Sequence, residues 1–121
     1  MNSNNVAIIG AGLSGLALAL ALHKQSIPCT IYEARSASLD IGGAIMLSPN
    51  ALRILDTLGI YEKIRSRGFE FTNLHFHTDK PLEFYEFGDR EKYQYDALRI
   101  YRYELIDALL AAIKEKGIPV E

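Results

Sequence analysis

Three glycines at fixed spacing, Gly10, Gly12 and Gly15, follow directly on the apolar run Val6-Ala7-Ile8-Ile9. An unbroken apolar run of that length is expected for a strand buried in a parallel sheet. Gly10 allows the sharp turn out of the strand. Gly12 has no Cβ, so the backbone there can approach a pyrophosphate closely, and Gly15 lets the following helix lie tight against the sheet. The N–H groups and positive dipole end of that helix then face an anion. Taken alone, Gly-x-Gly-x-x-Gly is a weak signal. Here strand, helix and second strand (Cys29-Thr30-Ile31-Tyr32) follow in order, and Glu33 closes the second strand. That context reads as a dinucleotide site, with Glu33 placed to accept ribose hydroxyls.

The chain has 121 residues, 49% hydrophobic and 23% charged, which suits one domain with one core. A net charge of −2 and scattered basic residues give no electrostatic case for nucleic acid or an anionic membrane. Cys29 is the single cysteine, which excludes an internal disulfide and suits a reducing compartment. We read it as a small apolar strand residue rather than a reactive thiol. The stretch from Val6 to Leu22 is nearly all apolar or glycine, but it is short for a membrane span and interrupted by three glycines. The leader Met1-Asn2-Ser3-Asn4-Asn5 also lacks a basic residue. A buried strand and helix explain it better, and the expected localisation is cytoplasmic.

Further along, the first helix is expected from about Leu13 to Gln25, ending before Pro28. Arg35 to Asp40 reads as a polar loop, and Gly42-Gly43-Ala44-Ile45-Met46-Leu47 as an extended segment entered through a glycine pair. Ser48-Pro49 is a helix start with serine as cap, Leu52, Leu55 and Leu58 mark the buried face, and Gly59 ends it. A short helix is expected over Tyr61 to Arg67. Two strands, about 70–78 and 82–87, are expected to join at Asp79-Lys80-Pro81, with 88–96 turn-like and one more strand over Leu98 to Tyr101. The last helix, about Arg102 to Lys116, carries the stripe Leu105, Ile106, Leu109, Leu110 and Ile113 and is closed by Gly117. Another strand is expected to begin at Ile118.

Read in this order, the residues resemble the FAD-dependent aromatic hydroxylases, single-component flavoprotein monooxygenases of the p-hydroxybenzoate hydroxylase type. The resemblance runs from Gly10-Ala11-Gly12-Leu13-Ser14-Gly15-Leu16 through Tyr32-Glu33-Ala34-Arg35 and Gly42 to Ala51, including Ser48-Pro49-Asn50. It ends at Tyr101-Arg102-Tyr103-Glu104-Leu105. It implies an α/β fold, a Rossmann-like βαβ FAD-binding domain with a small β-hairpin insertion, here truncated to the N-terminal third of the enzyme. The implied organisation is a core of 5–68 and 97–121 with a β-rich insertion at about 69–96.

The resemblance also implies roles for single residues. The backbone at Gly10, Ala11, Gly12, Leu13, Ser14 and Gly15 would hold the FAD pyrophosphate, and Glu33 would bind the adenosine ribose. Ala34 and Arg35 would lie beside the adenosine half, Arg102 would reach the pyrophosphate or ribityl chain, and Gly43 and Ala44 would approach the flavin. In the full enzyme NADH or NADPH would reduce FAD, and one oxygen atom of dioxygen would pass to an aromatic or similar small-molecule substrate. No acid–base or nucleophilic residue is assigned here, and the chain by itself is expected to be inactive.

Other readings stay open. Arg35 is a surface cation, an adenosine contact or a reader of an NADP 2′-phosphate, though the Glu33 carboxylate would repel that phosphate. Arg102 opens a helix, a poor place for a cation in the helix dipole, which favours a functional role. His75, His77 and Asp79 alternate as metal ligands on one face of a strand would, but we assign no metal. Seven of the twelve aromatic residues fall between Phe84 and Tyr103, leaving apolar surface from which self-association is expected. The alternatives for the whole are a Rossmann-type NAD(P)-dependent oxidoreductase and a non-catalytic module that self-associates.

Overall fold

The computed structural model describes residues 4–36, 42–80 and 83–121. The elements are β1 (Val6–Ile9), α1 (Leu13–Lys24), β2 (Cys29–Tyr32), β3 (Ala44–Leu47), α2 (Pro49–Thr57), α3 (Tyr61–Arg65), β4 (Phe69–Phe71), β5 (Asn73–Phe76), β6 (Glu83–Glu86), α4 (Arg90–Tyr93), β7 (Ala97–Tyr101) and α5 (Arg102–Glu115). The chain divides into two compact units, Met1–Gly43 with Arg102–Glu121, and Ala44–Tyr101. The polar loop expected over 35–40 falls mainly, from 37 onward, outside the described residues. So do Pro81 of the expected turn and residue 82.

The first unit is the expected strand–helix–strand unit. β1 and β2 pair in parallel, from Val6 opposite Cys29 to Ile9 opposite Tyr32. The strand expected after Ile118 runs along the other edge of β2. Ile31 N–H donates to Pro119 O at 2.9 Å, Glu121 N–H to Ile31 O at 2.8 Å, and Glu33 N–H to Glu121 O at 2.7 Å. α1 packs on both strands and α5 packs on α1. Leu16, Ala19 and Leu20 are buried on α1, and Leu105, Ile106, Ala108, Leu109, Ala112 and Ile113 on α5. Of the expected stripe only Leu110 stays half-buried, its turn of the face being taken by the small residues Ala108 and Ala112. The Cys29 thiol lies against Ala19 O at 3.9 Å, and burial raises its pKa, so it is an inert packing residue.

β1 differs from the expected fully buried strand. Ile8 faces α1 and is buried, whereas Ile9 on the opposite face is 83% exposed. An uninterrupted apolar run does not say which face is covered, because successive side chains point to opposite faces.

The second unit is organised on β7, the centre of an antiparallel sheet in the order β3-β7-β4. Its Ala97, Leu98 and Ile100 are buried, and α2 packs against it with Leu52 and Leu55 inward. Tyr95 Oη donates to Asp56 Oδ2 at 2.6 Å, and its ring meets Tyr61 edge-on at 5.0 Å. Glu70 accepts from Arg65 and Arg90, and Arg90 also reaches Asp96, joining α3, β4 and the start of α4.

Three local expectations change. Ser48 is extended at the start of α2, but its hydroxyl bonds the Asn50 side chain and no side chain caps the helix. The single strand expected over 70–78 is two, because Thr72 O accepts from Phe87 N–H at 2.7 Å and Gly88 N–H at 3.0 Å. β4 therefore joins β7, while β5 forms a hairpin with β6. The turn-like 88–96 contains α4, capped by Asp89, whose carboxylate accepts from Glu91 N–H at 2.9 Å and Lys92 N–H at 3.2 Å.

A methyl group at Gly15 would lie 2.2 Å from Gly10 O, whereas one at Gly43 meets nothing within 4 Å. Gly15→Ala should therefore destabilise the chain by about 2 kcal/mol or more through overpacking. Gly43→Ala should stay within about 0.5 kcal/mol of wild type. Denaturant melts of the two variants check this, and equal midpoints would contradict the close seating of α1 on the turn.

Candidate functional site

The site grows out of the end of β1. Gly10 takes φ +100°, the left-handed region that favours glycine, and its N–H donates to Tyr32 O at 2.7 Å. That bond ties the turn to the end of β2. Gly12 is the extended residue before α1, and no side chain caps the helix. The first N–H to close a helical bond onto Gly12 O is that of Leu16, at 3.0 Å. The amides of Leu13, Ser14 and Gly15 therefore stand at the helix mouth as donors without a side-chain cap. An added Cβ at Gly10 or Gly12 would find nothing within 4 Å, so the turn borders open space at these two glycines. Amide donors at a helix N-terminus suit a diphosphate.

Glu33 lies beside this turn, half-buried. Its Oε2 accepts from Ala11 N–H at 2.7 Å and its Oε1 from Arg35 N–H at 3.1 Å. These two amides, chiefly that of Ala11, with the Arg35 charge adding to them, hold the carboxyl below the usual glutamate range. Ala34 and Arg35 are both exposed next to it.

The glycine pair and Arg102 also meet. Arg102 N–H donates to Gly43 O at 3.1 Å, fixing the start of α5 to this segment. Gly42 has φ +118°, and a Cβ there would press on Arg102 Cδ at 3.3 Å. The conformational requirement thus falls on Gly42, which sequence reasoning did not single out. The adjacent Gly42-Gly43 pair was its signal, but spacing alone could not say which member needs to be glycine. Among the described residues no acid forms an ion pair with the half-buried Arg102 guanidinium. Ala44 stands in the second unit, exposed, as the first residue of β3 opposite Tyr101. The structure therefore brings the residues 10–15 together with 33–35, and Gly43 together with Arg102.

Elsewhere the chemistry is sparse. Among the described residues no group of three or more His, Cys, Asp or Glu is placed to hold a metal ion. His75 stacks on Phe84 at 5.6 Å. A groove of about 560 Å³, lined by Asn5, His23, Thr30 and Lys116 among others, lies where β1 and β2 begin. Gly10 and Glu33 lie where these parallel strands end. No helix among the described residues is long and apolar enough to cross a membrane.

A parallel βαβ unit with a glycine turn, an uncapped helix mouth and an acid at the end of the second strand defines a dinucleotide-binding α/β fold. The chain belongs to the FAD binding domain family, whose profile matches residues 3–121. It is 35% identical over 116 residues to the FAD-dependent monooxygenase pytG of Aspergillus terreus, covering 94% of this chain and 35% of that protein. It is 32% identical over 114 residues to 3-amino-4-hydroxybenzoate 2-monooxygenase PtmB3 of Streptomyces platensis, covering 90% of this chain and 29% of the relative.

Among solved structures it superimposes on a variant of 2-methyl-3-hydroxypyridine-5-carboxylic acid oxygenase with a TM-score of 0.82. The identity is 20%, over 99% of this chain and 31% of the other. Klebsiella pneumoniae HpxO, complexed with FAD and uric acid, gives a TM-score of 0.77 at 22% identity, over 98% of this chain and 31% of the other. These structures share the fold. The chain spans about a third of the length of the relatives it matches. The expected α/β fold and the FAD cofactor stand.

The lowered Glu33 carboxyl sets a pH dependence. Its contribution to stability is fully present above the unfolded glutamate value, about 4.3. It is lost as pH falls through the lower folded value. Melting temperatures of wild type and Glu33→Gln should differ at neutral pH and converge under acid. Curves that stay parallel down to the acid limit would contradict the assignment.

Proposed function

We propose that the turn Gly10–Gly15 and Glu33 hold the ADP half of FAD, and that the chain is the FAD-binding portion of an NAD(P)H-dependent flavin monooxygenase. The observation that carries this reading is the uncapped helix mouth beside a carboxylate held ionised. The amides of Leu13, Ser14 and Gly15 take pyrophosphate oxygens, which sit at the positive end of α1. Glu33 accepts the ribose hydroxyls, and Ala34 and Arg35 flank the adenosine. Arg102 supplies positive charge toward the pyrophosphate or the ribityl chain, and the main chain at Gly43 and Ala44 serves the flavin side.

FAD, when bound, would supply the redox chemistry: with two electrons from NADH or NADPH, one oxygen atom of dioxygen would go to the substrate and the other would leave as water. This segment contributes binding, orientation and charge, with no acid–base residue of its own. The substrate class is a small aromatic, supported by relatives named for 3-amino-4-hydroxybenzoate and 3-hydroxybenzoate. A NAD(P)-dependent oxidoreductase built from repeated strand–helix units is disfavoured, because β3 pairs antiparallel with β7 instead of extending the parallel sheet.

Titration of the chain with FAD, ADP and NADPH, read by thermal shift and calorimetry, tests the reading. FAD and ADP should stabilise it and NADPH should not, since Glu33 repels a 2′-phosphate. Glu33→Ala should weaken ADP by about tenfold or more, as expected for loss of a charged hydrogen-bond acceptor. No stabilisation by FAD or ADP, or equal stabilisation by NADPH, would refute it. We also propose self-association, supported by exposed Ile9, Phe69, Phe84 and Tyr85. Sedimentation in the same samples should give a mass that rises with concentration, and a constant 13.5 kDa would oppose it.

A further inference from the structure

We propose that Glu33 is also a positioning residue for the phosphate turn, its carboxylate fixing the shape of Gly10–Gly12 before any nucleotide arrives. The inference rests on the reading of this turn as a pyrophosphate site, and goes beyond the ribose contact assigned there.

A turn with two glycines in three residues has many conformations open to it, and ordering it is entropically unfavourable. Two bonds from adjacent residues hold it to the end of β2. Gly10 N–H donates to Tyr32 O at 2.7 Å, and Ala11 N–H donates to Glu33 Oε2 at the same distance. The first is main chain to main chain and exists for any sequence with this pairing. The second needs an acceptor side chain of this length at this position.

The carboxylate is itself oriented, because its other oxygen accepts from Arg35 N–H at 3.1 Å. Glu33 thus spans from the turn, across the strand end, to the segment that follows β2. With Ala11 N–H engaged in this way, the donors left for a diphosphate are those at the mouth of α1. Each carboxylate oxygen has about two acceptor positions. A ribose hydroxyl can therefore bond Glu33 without displacing Ala11, and one side chain can serve both ends of the adenosine diphosphate.

A role in ribose binding alone and a role that includes the turn separate in one variant. Glutamine at 33 keeps the length and can still bond ribose hydroxyls, but it offers one oxygen and one NH2 group. One of the two main-chain N–H groups must then face a donor. The ligand that isolates the turn is 2′,3′-dideoxy-ADP, which keeps the diphosphate and lacks the ribose hydroxyls.

The experiment measures the affinity of wild type and Glu33→Gln for ADP and for 2′,3′-dideoxy-ADP. It also measures amide hydrogen exchange at Ala11 and Arg35 in the ligand-free proteins. The positioning role predicts that Glu33→Gln weakens dideoxy-ADP by about tenfold. It also predicts exchange about tenfold faster at Ala11 or Arg35, with the rates in α5 unchanged. Unchanged dideoxy-ADP affinity with unchanged exchange would overturn the proposal while leaving the ribose role intact.

Should wild type bind neither nucleotide, the pyrophosphate reading fails, and the exchange rates alone decide whether Glu33 holds the turn. Should Glu33→Gln not fold, a pH titration of the wild-type amide resonances replaces it. The Ala11 and Arg35 protons should then shift with one shared midpoint, and independence from pH at both would overturn the proposal.

Discussion

Everything at the candidate site depends on a methyl group that is not there. Gly15 sits so close to Gly10 O that the smallest side chain would collide with backbone and with Ile8. That contact seats α1 directly on the turn leaving β1, which brings the mouth of the helix to the end of the sheet. Further bonds hold the same turn in place. Gly10 is tied to Tyr32, Ala11 to Glu33, and Glu33 to Glu121, so turn, second strand and C-terminal segment share one network of short bonds. A nucleotide-binding surface made of main-chain donors needs this kind of support, because its geometry is set by backbone rather than by choice of side chain.

The second unit is held by different means. β7 is buried and central, pairing with β3 on one side and β4 on the other. The buried Tyr95 joins α3 by ring contact and α2 by its bond to Asp56. Glu70 and its two arginines lie at the surface, where such pairs individually add little and act mainly to fix local geometry. The hairpin β5–β6 is the exposed part, with Phe76, Phe84 and Tyr85 open to solvent. Two strands alone are marginally stable in water, and the apolar face of this hairpin stays uncovered among the described residues.

Much of the first unit was legible in the sequence because each of its signals is local. The glycine spacing, the second apolar run and Glu33 lie within one βαβ unit, and α5 announces itself through a repeating stripe and Gly117. What could not be read depends on long-range pairing. Thr72 separates two sheets because its carbonyl meets Phe87 and Gly88 across the chain, and no local property of threonine signals that. Ile9 looks like core, but its exposure is decided by which face of the sheet carries a layer. Ser48 has the composition of a cap, yet Asn50 two residues on competes for its hydroxyl. At the site, Glu33 stands out by its position at the end of the second strand, whereas its bond to Ala11 emerges only when the turn is seen in three dimensions.

The central claim is that the residues 10–15 and 33–35 form one nucleotide-binding surface. The most direct test is a residue-resolved one, following amide chemical shifts of the isotope-labelled chain as ADP is added. The account predicts saturable shifts concentrated at Gly10 to Leu16 and Glu33 to Arg35, with the hairpin β5–β6 unmoved. Shifts centred instead on Asn5, His23 and Lys116, at the opposite end of the strands, or no saturable shifts at all, would contradict it.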